Sequence, residues 1–487
     1  MKKTCLVLLG LLWCAALPAK NFELKSPDGR IALAIDVGER IAYTVRGDGI
    51  PLLEECRLGL RLDRGGTAGP MRHRSGSIDR TFRPAVAYKF SEIRDRCNTL
   101  RLDFRGDWSV EFRAYDDGVA YRFLSDTEGP VEVLGEEFAL RLPDASTAVL
   151  QQPGSFRTGY EEAYEEVGTR SWGTAGRLAV LPALFDTKRG YKILVSESSL
   201  TDYPCLFLTG DGANGMRGVF PKMPLRTEET GDRSVRILEE AGCIAATTGE
   251  RAFPWRYFVL ADEDGDLVET TMTARLAEPC ALGDTSWIEP GQVSWEFWNA
   301  ASPYGPDVDF VAGFNTATYK YFIDFAARFG IPYIIMDEGW AEDTRDPYTP
   351  NPEVDLHELI RYGEERGVGV ILWLTWLTVE KHFDLFERLS EWGVRGVKID
   401  FMDRSDQWMV NYYERVAAEA ARPRMVVAFH GAFKPAGLEY KYPNVLAYEG
   451  VRGMENMGGC TPANSLWLPF IRNAVGPMDY TPGAMIS

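Results

Sequence analysis

The chain has 487 residues, 45% of them hydrophobic and 25% charged, with a formal net charge of -18. This is the composition of a soluble globular protein of about three domains, and the acidic excess argues against nucleic acid or anionic membrane as a partner. Six cysteines follow the N-terminal segment: Cys56, Cys97, Cys205, Cys243, Cys280 and Cys460. They are widely spread and show no CxxC spacing, which argues against zinc.

The first segment reads as a targeting signal. Lys2 and Lys3 form a positive start, residues 6–17 are apolar, and Ala16 and Ala19 offer small residues for cleavage. The apolar run is too short to span a bilayer, so residues 1–19 are expected to be a secretory signal peptide. Trp13, directly before Cys14, is too bulky for a lipid-attachment site. No later stretch is long and apolar enough for a membrane span.

Residues 20–285 read as β. Ile31 to Val37 and Ile41 to Val45 alternate with period two, and the strand-like runs 110–115 and 119–123 flank Asp116-Asp117-Gly118, a hairpin signal. Many short strands with glycine-rich turns predict an N-terminal β-sandwich.

The rhythm changes near Trp287. Gln292 to Trp298 reads as a first parallel strand. Asn315 caps a predicted helix to Phe329 that places Tyr319, Phe322, Ile323, Ala326 and Phe329 on one face. Three times a helix end meets a glycine, at Gly330, Gly367 and Gly393, before a buried apolar run. Strands are predicted to end at Asp337, near Trp376 and at Asp400. A helix over 405–421 follows, then strands 425–430 and 445–449, and a seventh ending near Asp479. Residues 286–487 therefore read as a (β/α)8 TIM-type barrel that stops before its eighth strand.

Acids at the outgoing ends of barrel strands stand where such barrels do chemistry. Asp400 ends an apolar run, with Lys398 two residues earlier on the same side. A neighbouring ammonium favours the ionised carboxylate that a nucleophile needs. Glu449 ends the sixth strand and Glu455 lies in its loop. One of these glutamates suits protonation of a leaving oxygen, the other a hard cation. Each of these acids, taken alone, also fits a strand-end or loop carboxylate with no catalytic part.

The segments Met336-Asp337-Glu338-Gly339-Trp340, Lys398-Ile399-Asp400-Phe401, His430-Gly431, residues 449–456 and residues 476–483 together resemble glycoside hydrolase family 97. Ser26-Pro27-Asp28-Gly29 and Tyr160-Glu161-Glu162-Ala163-Tyr164 resemble its N-terminal region. The resemblance implies a β-sandwich, a catalytic barrel, a C-terminal β domain that this chain lacks, and a bound calcium. It implies Asp400 as nucleophile, Glu455 as acid/base, and Glu449 as a calcium ligand. A second ligand is implied at Glu161, with Glu162 and Glu165 as neighbouring alternatives. Asp337 and Lys398 are candidates for holding sugar hydroxyls. Trp340, Trp295 and Trp373 or Trp376 are candidates for stacking on a sugar face, with core packing as the alternative. His430 suits a hydrogen bond to substrate or to a carboxylate, or a place as a satisfied buried histidine.

Inverting members of the family carry a base glutamate directly after the strand-five histidine, where this chain has Gly431. The resemblance therefore implies an exo-acting retaining α-galactosidase acting on α-galactoside oligosaccharides or glycosides. Its carboxyl groups would stand ~5–5.5 Å apart, against ~6.5–9.5 Å for inversion. The alternatives are an inverting α-glucosidase and a non-catalytic, carbohydrate-binding truncated remnant. Export with no lipid anchor, together with the resemblance, implies the periplasm of a Gram-negative bacterium.

Overall fold

The computed structural model describes residues 20–64, 68–172, 176–213, 215–297 and 300–482. The predicted signal peptide, residues 1–19, lies outside them. No helix among the described residues is long and apolar enough to cross a membrane, and the six cysteines after the signal segment are free thiols.

From Lys20 to Ala261 the chain is mostly β. Seventeen of its strands join through antiparallel ladders, and a separate two-stranded hairpin is formed by Pro224–Glu229 and Val235–Glu240. In Ile31–Val37 the odd-numbered residues are buried, as period two requires. The hairpin at Asp116-Asp117 forms as predicted, with Tyr115 opposite Gly118. Gly118 is there because a Cβ would stand 2.3 Å from the Phe258 carbonyl oxygen, which only glycine avoids.

The second region holds six parallel strands, Val293–Trp295, Tyr333–Met336, Gly369–Thr375, Gly396–Asp400, Val426–Phe429 and Val445–Tyr448, paired in chain order. The sheet is curled. Lys398 of the fourth strand reaches the Trp295 ring of the first at 4.3 Å, although two strands lie between and a flat sheet would hold them about 14 Å apart. The helix Thr316–Phe329 begins at Asn315, whose side chain accepts the Thr318 N–H, and stops at Gly330 with φ 68. That left-handed residue lets the chain turn directly into the second strand.

Three expectations are corrected. Among the described residues of the predicted first strand, Gln292 to Trp298, only Val293–Trp295 pairs with its neighbour, and Trp298 lies outside the described residues. Phe329 is 60% exposed, packing on Phe325 at 4.7 Å rather than on the core. The predicted seventh strand does not form. Residues 477–481 are irregular, and Asp479 donates a single backbone bond, to Tyr448 O at 2.9 Å. Pro477 has no N–H to give, which works against a ladder there.

One buried charge network joins the two regions. Arg256 donates to both oxygens of Glu136 at 2.8 Å and to Glu197, and Lys434, from the loop after the fifth parallel strand, donates to Glu197 as well. All four side chains are at most 3% exposed. Arg256→Met leaves two buried carboxylates facing one ammonium. It is expected to cost about 3–5 kcal/mol of stability, read as a fall in the thermal denaturation midpoint. A change below about 1 kcal/mol would show that the network carries no such balance.

Candidate active site

Asp400 is the last residue of the fourth strand, and its carboxylate is held at both oxygens. Oδ1 accepts the Phe401 N–H at 2.6 Å and Oδ2 accepts the Trp373 indole N–H at 2.9 Å. Phe401 has φ 62, a left-handed conformation that bulky residues seldom adopt. It turns the chain sharply at the strand end and leaves Asp400 at the mouth.

Lys398 lies below, 3% exposed. Its ammonium donates to Asp337 Oδ2 at 2.7 Å and stands 3.8 Å from Asp400 Oδ2. Burial opposes its charge, but Asp337 and Asp400 outweigh burial and hold its pKa above the ordinary lysine value. Asp337 also accepts the Trp295 indole N–H at 2.7 Å and the Glu338 N–H at 2.8 Å. Asp337, Lys398, Trp295 and Asp400 thus form one hydrogen-bonded and charged set across the first, second and fourth strands.

A second set forms at the fifth and sixth strand ends. Carboxylate oxygens of Glu161, Glu449 and Glu455 all lie within 4.8 Å of one another. Glu161 crosses over from the N-terminal region, and Asn456 donates to it at 3.1 Å. Its neighbours point elsewhere: Glu162 accepts from Thr158 at 2.8 Å and Glu165 from Gln152 at 2.8 Å. Burial raises Glu161 to about 6, helped by Glu455 and Asp400, and raises Glu449 to about 8, helped by Glu161 and Asp400. Glu455 is raised too, first by burial and then by Asp400 and Asp337.

His430 joins the two sets. Nε2 lies 2.8 Å from Asp479 Oδ2 and Nδ1 lies 3.5 Å from Glu449 Oε2. Burial lowers its pKa, but Glu449 and Asp479 overcome this and bring it to about 9. It is held between two carboxyl groups, and this satisfied role is the one its contacts support. The following Gly431 has φ 55, donates its N–H to Glu449 at 2.9 Å, and has no room for a side chain. A Cβ there would lie 2.9 Å from Asp403 Oδ1 and 3.1 Å from Phe401 Cα.

The tryptophans are corrected in part. Trp340 is 1% exposed and its indole donates to the Trp373 carbonyl at 2.8 Å, so it packs in the core and offers no face to a sugar. Trp373 and Trp376 are buried as well, and only Trp295 is half-buried.

Two contributors escaped the sequence reading. Glu296, buried on the segment just after Trp295, accepts the Asp337 N–H at 2.8 Å and the Tyr319 hydroxyl at 2.9 Å. Burial, then Asp337, raises it to about 7. An acid inside the apolar run Trp295-Glu296-Phe297 was the available signal. The other is Arg233 at the tip of the separate hairpin, which donates to Glu338 at 2.7 and 3.1 Å. Nothing local in its sequence ties that hairpin to the strand ends.

Residues 24–279 match the family description "Glycosyl-hydrolase 97 N-terminal" and residues 295–451 match "Glycoside hydrolase 97". The chain is 38% identical to a retaining alpha-galactosidase of Bacteroides thetaiotaomicron, covering 100% of this chain and 76% of that protein. It is 32% identical to a probable retaining alpha-galactosidase of Streptomyces bingchenggensis, covering 94% and 68%. The fold is similar to that of a glycoside hydrolase family 97 enzyme from Pseudoalteromonas sp. strain K8 solved with acarbose, with a TM-score of 0.81, 23% identity and coverage of 95% and 74%. It is also similar to a solved beta-arabinopyranosidase, with a TM-score of 0.76, 24% identity and coverage of 95% and 76%. The chain belongs to glycoside hydrolase family 97.

Proposed function

We propose that this chain is an exo-acting, retaining glycoside hydrolase that releases terminal α-D-galactose by double displacement. The observation that carries the reading is the pairing of an anchored strand-end carboxylate, Asp400, with a glycine at 431 that leaves no space for a base. An inverting mechanism needs a carboxylate to activate water opposite the leaving group, and Gly431, crowded by Asp403 and Phe401, carries no carboxyl group. The retaining relatives at 38% and 32% identity support the same choice.

In this reading Asp400 attacks the anomeric carbon. Its two donors, Phe401 N–H and Trp373 Nε1, hold the carboxylate in one orientation, which lowers the entropic part of the barrier. Glu455 protonates the departing oxygen. It then takes a proton from the water that releases galactose. Asp337 and Lys398 hold ring hydroxyls in the floor of the site.

The three clustered carboxylates fit a hard divalent cation. Their oxygens are the ligand type calcium takes, and Glu161 and Glu449 are raised chiefly by burial, with their acidic neighbours adding to it. Glu161 and Glu449 are the proposed calcium ligands, beside Glu455. A bound ion supplies positive charge at the acid site and a contact for sugar hydroxyls. We further read the N-terminal region as the family's β-sandwich, the curled parallel sheet as its (β/α)8 barrel, and the protein as periplasmic.

The first test is proton NMR of p-nitrophenyl α-D-galactopyranoside hydrolysis. The first-formed sugar is expected to be α-galactose, and initial β-galactose would overturn retention. Asp400→Gly is expected to lower kcat by at least about 10⁴-fold, with external azide restoring turnover as β-galactosyl azide. A well-folded variant that azide does not rescue would remove Asp400 from the nucleophile's place. Glu455→Gln is expected to slow poor leaving groups by about 10²–10⁴-fold and good ones far less. Equal losses on both would end its acid role. Chelation is expected to reduce activity and added calcium to return it. Activity that persists in a strong chelator, with no calcium retained by elemental analysis, would remove the metal.

A further inference from the structure

The hairpin Pro224–Glu229 and Val235–Glu240 stands apart from the large sheet and is mostly exposed. Its tip, residues 230–234, is docked on the parallel strand ends. Thr375 Oγ1 donates to Asp232 O at 2.9 Å, the Trp376 indole to Arg233 O at 2.9 Å, and Thr344 Oγ1 to Asp232 Oδ2 at 2.6 Å. The Arg233 guanidinium is gripped on two edges. Nε and Nη2 donate to Asp232, while Nη1 and Nη2 donate to Glu338. Held flat in this way, it lies 4.8 Å from the Phe401 ring centroid and 5.8 Å from that of Trp373. These two residues are the ones that donate to the two oxygens of Asp400.

We propose that Arg233 is a positioning residue for the nucleophile, supplied by the N-terminal region. The proposal rests on the reading of Asp400 given above. Phe401 keeps a left-handed backbone that a bulky residue leaves unless its surroundings hold it, and the N–H of the peptide it shares with Asp400 donates to that carboxylate. A cation over its ring face opposes ring movement, and the same cation lies over Trp373. Arginine suits the task and lysine suits it less. The planar guanidinium takes two carboxylates edge-on while its face stays free for an aromatic ring. Asp232 and Glu338 are accordingly the clamp, and the Phe401 and Trp373 rings are the load.

The test uses the full chain with Arg233→Met and Arg233→Lys. With p-nitrophenyl α-D-galactopyranoside, Arg233→Met is expected to lower kcat about 10²-fold with KM within about 3-fold, and Arg233→Lys to recover about 10-fold of that loss. The rate of covalent labelling by an activated fluorogalactoside, followed by intact mass, is expected to fall with kcat, while the inhibition constant for galactose stays constant. A kcat for Arg233→Met within about 3-fold of the unmodified protein would overturn the proposal. So would parallel losses in kcat, galactose affinity and thermal midpoint in both variants, which is the pattern of a purely structural tie. A crystal structure of Arg233→Met decides without turnover: Phe401 still left-handed, with both bonds to Asp400 intact, would also overturn it. An unmodified protein that fails on every α-galactoside would instead count against the proposed function.

Discussion

One buried ammonium organises the mouth of the parallel sheet. Lys398 is almost fully enclosed, and an unpaired charge there would cost several kcal/mol. It therefore takes Asp337 as a hydrogen-bonded partner and Asp400 as a second neighbour, and lays its charge on the Trp295 face. Fixing the ammonium fixes the second strand end against the fourth. The indole of Trp295 then has one place to donate, Asp337, and the indole of Trp373 has Asp400. The geometry of the candidate nucleophile is thus a consequence of how one lysine is neutralised.

The other side of the mouth has the opposite imbalance. Glu161, Glu449 and Glu455 crowd together, and His430, 3.5 Å from Glu449, is shared with Asp479. Burial raises the pKa of all three, and the neighbouring acids add to it. The site is therefore polarised: Asp400 is held beside a buried ammonium, while Glu455 stands among other acids and is raised chiefly by burial. A nucleophile benefits from the first environment and a proton donor from the second. The backbone N–H of Gly431 serves Glu449 in the same cramped space that excludes a side chain at 431.

Much of this was legible in the sequence, for local reasons. Asp337, Asp400 and Glu449 follow short apolar runs, and a run ends where its residues leave the core. Asn315 and the glycines at 330, 367 and 393 carry their own stop and start chemistry, so the helices they bound were readable. Trp340 was not, because whether a rim tryptophan faces the mouth or the layer behind it depends on how the loop folds back. Its indole found a carbonyl on the next strand, a long-range contact without a local signature. The strand expected before Asp479 failed for a related reason. Ala474 and Val475, just before it, are buried in a short 3-10 turn rather than in a ladder. Neither the hairpin carrying Arg233 nor its docking was read from the sequence.

The contacts between the two regions share one property, which bears on why the chain combines them. Glu161 meets Asn456 and the sixth-strand acids, Glu197 meets Lys434 beyond the fifth strand, and Arg233 meets Glu338 beyond the second. In the last two pairs a charge on the N-terminal region is answered by its opposite on the parallel-sheet region. Breaking a buried pair by removing one partner costs far more than the pair's net stabilisation. Lys434 and Glu197 are both enclosed, so separating the regions would strand both charges. The N-terminal region is then more than a support that happens to lie alongside. It supplies charges to three separate strand-end loops, and the positions of those loops set the spacing of the carboxylates. A site built this way holds its geometry through the interface, so substitutions on the N-terminal face can alter the chemistry without touching any residue of the parallel sheet.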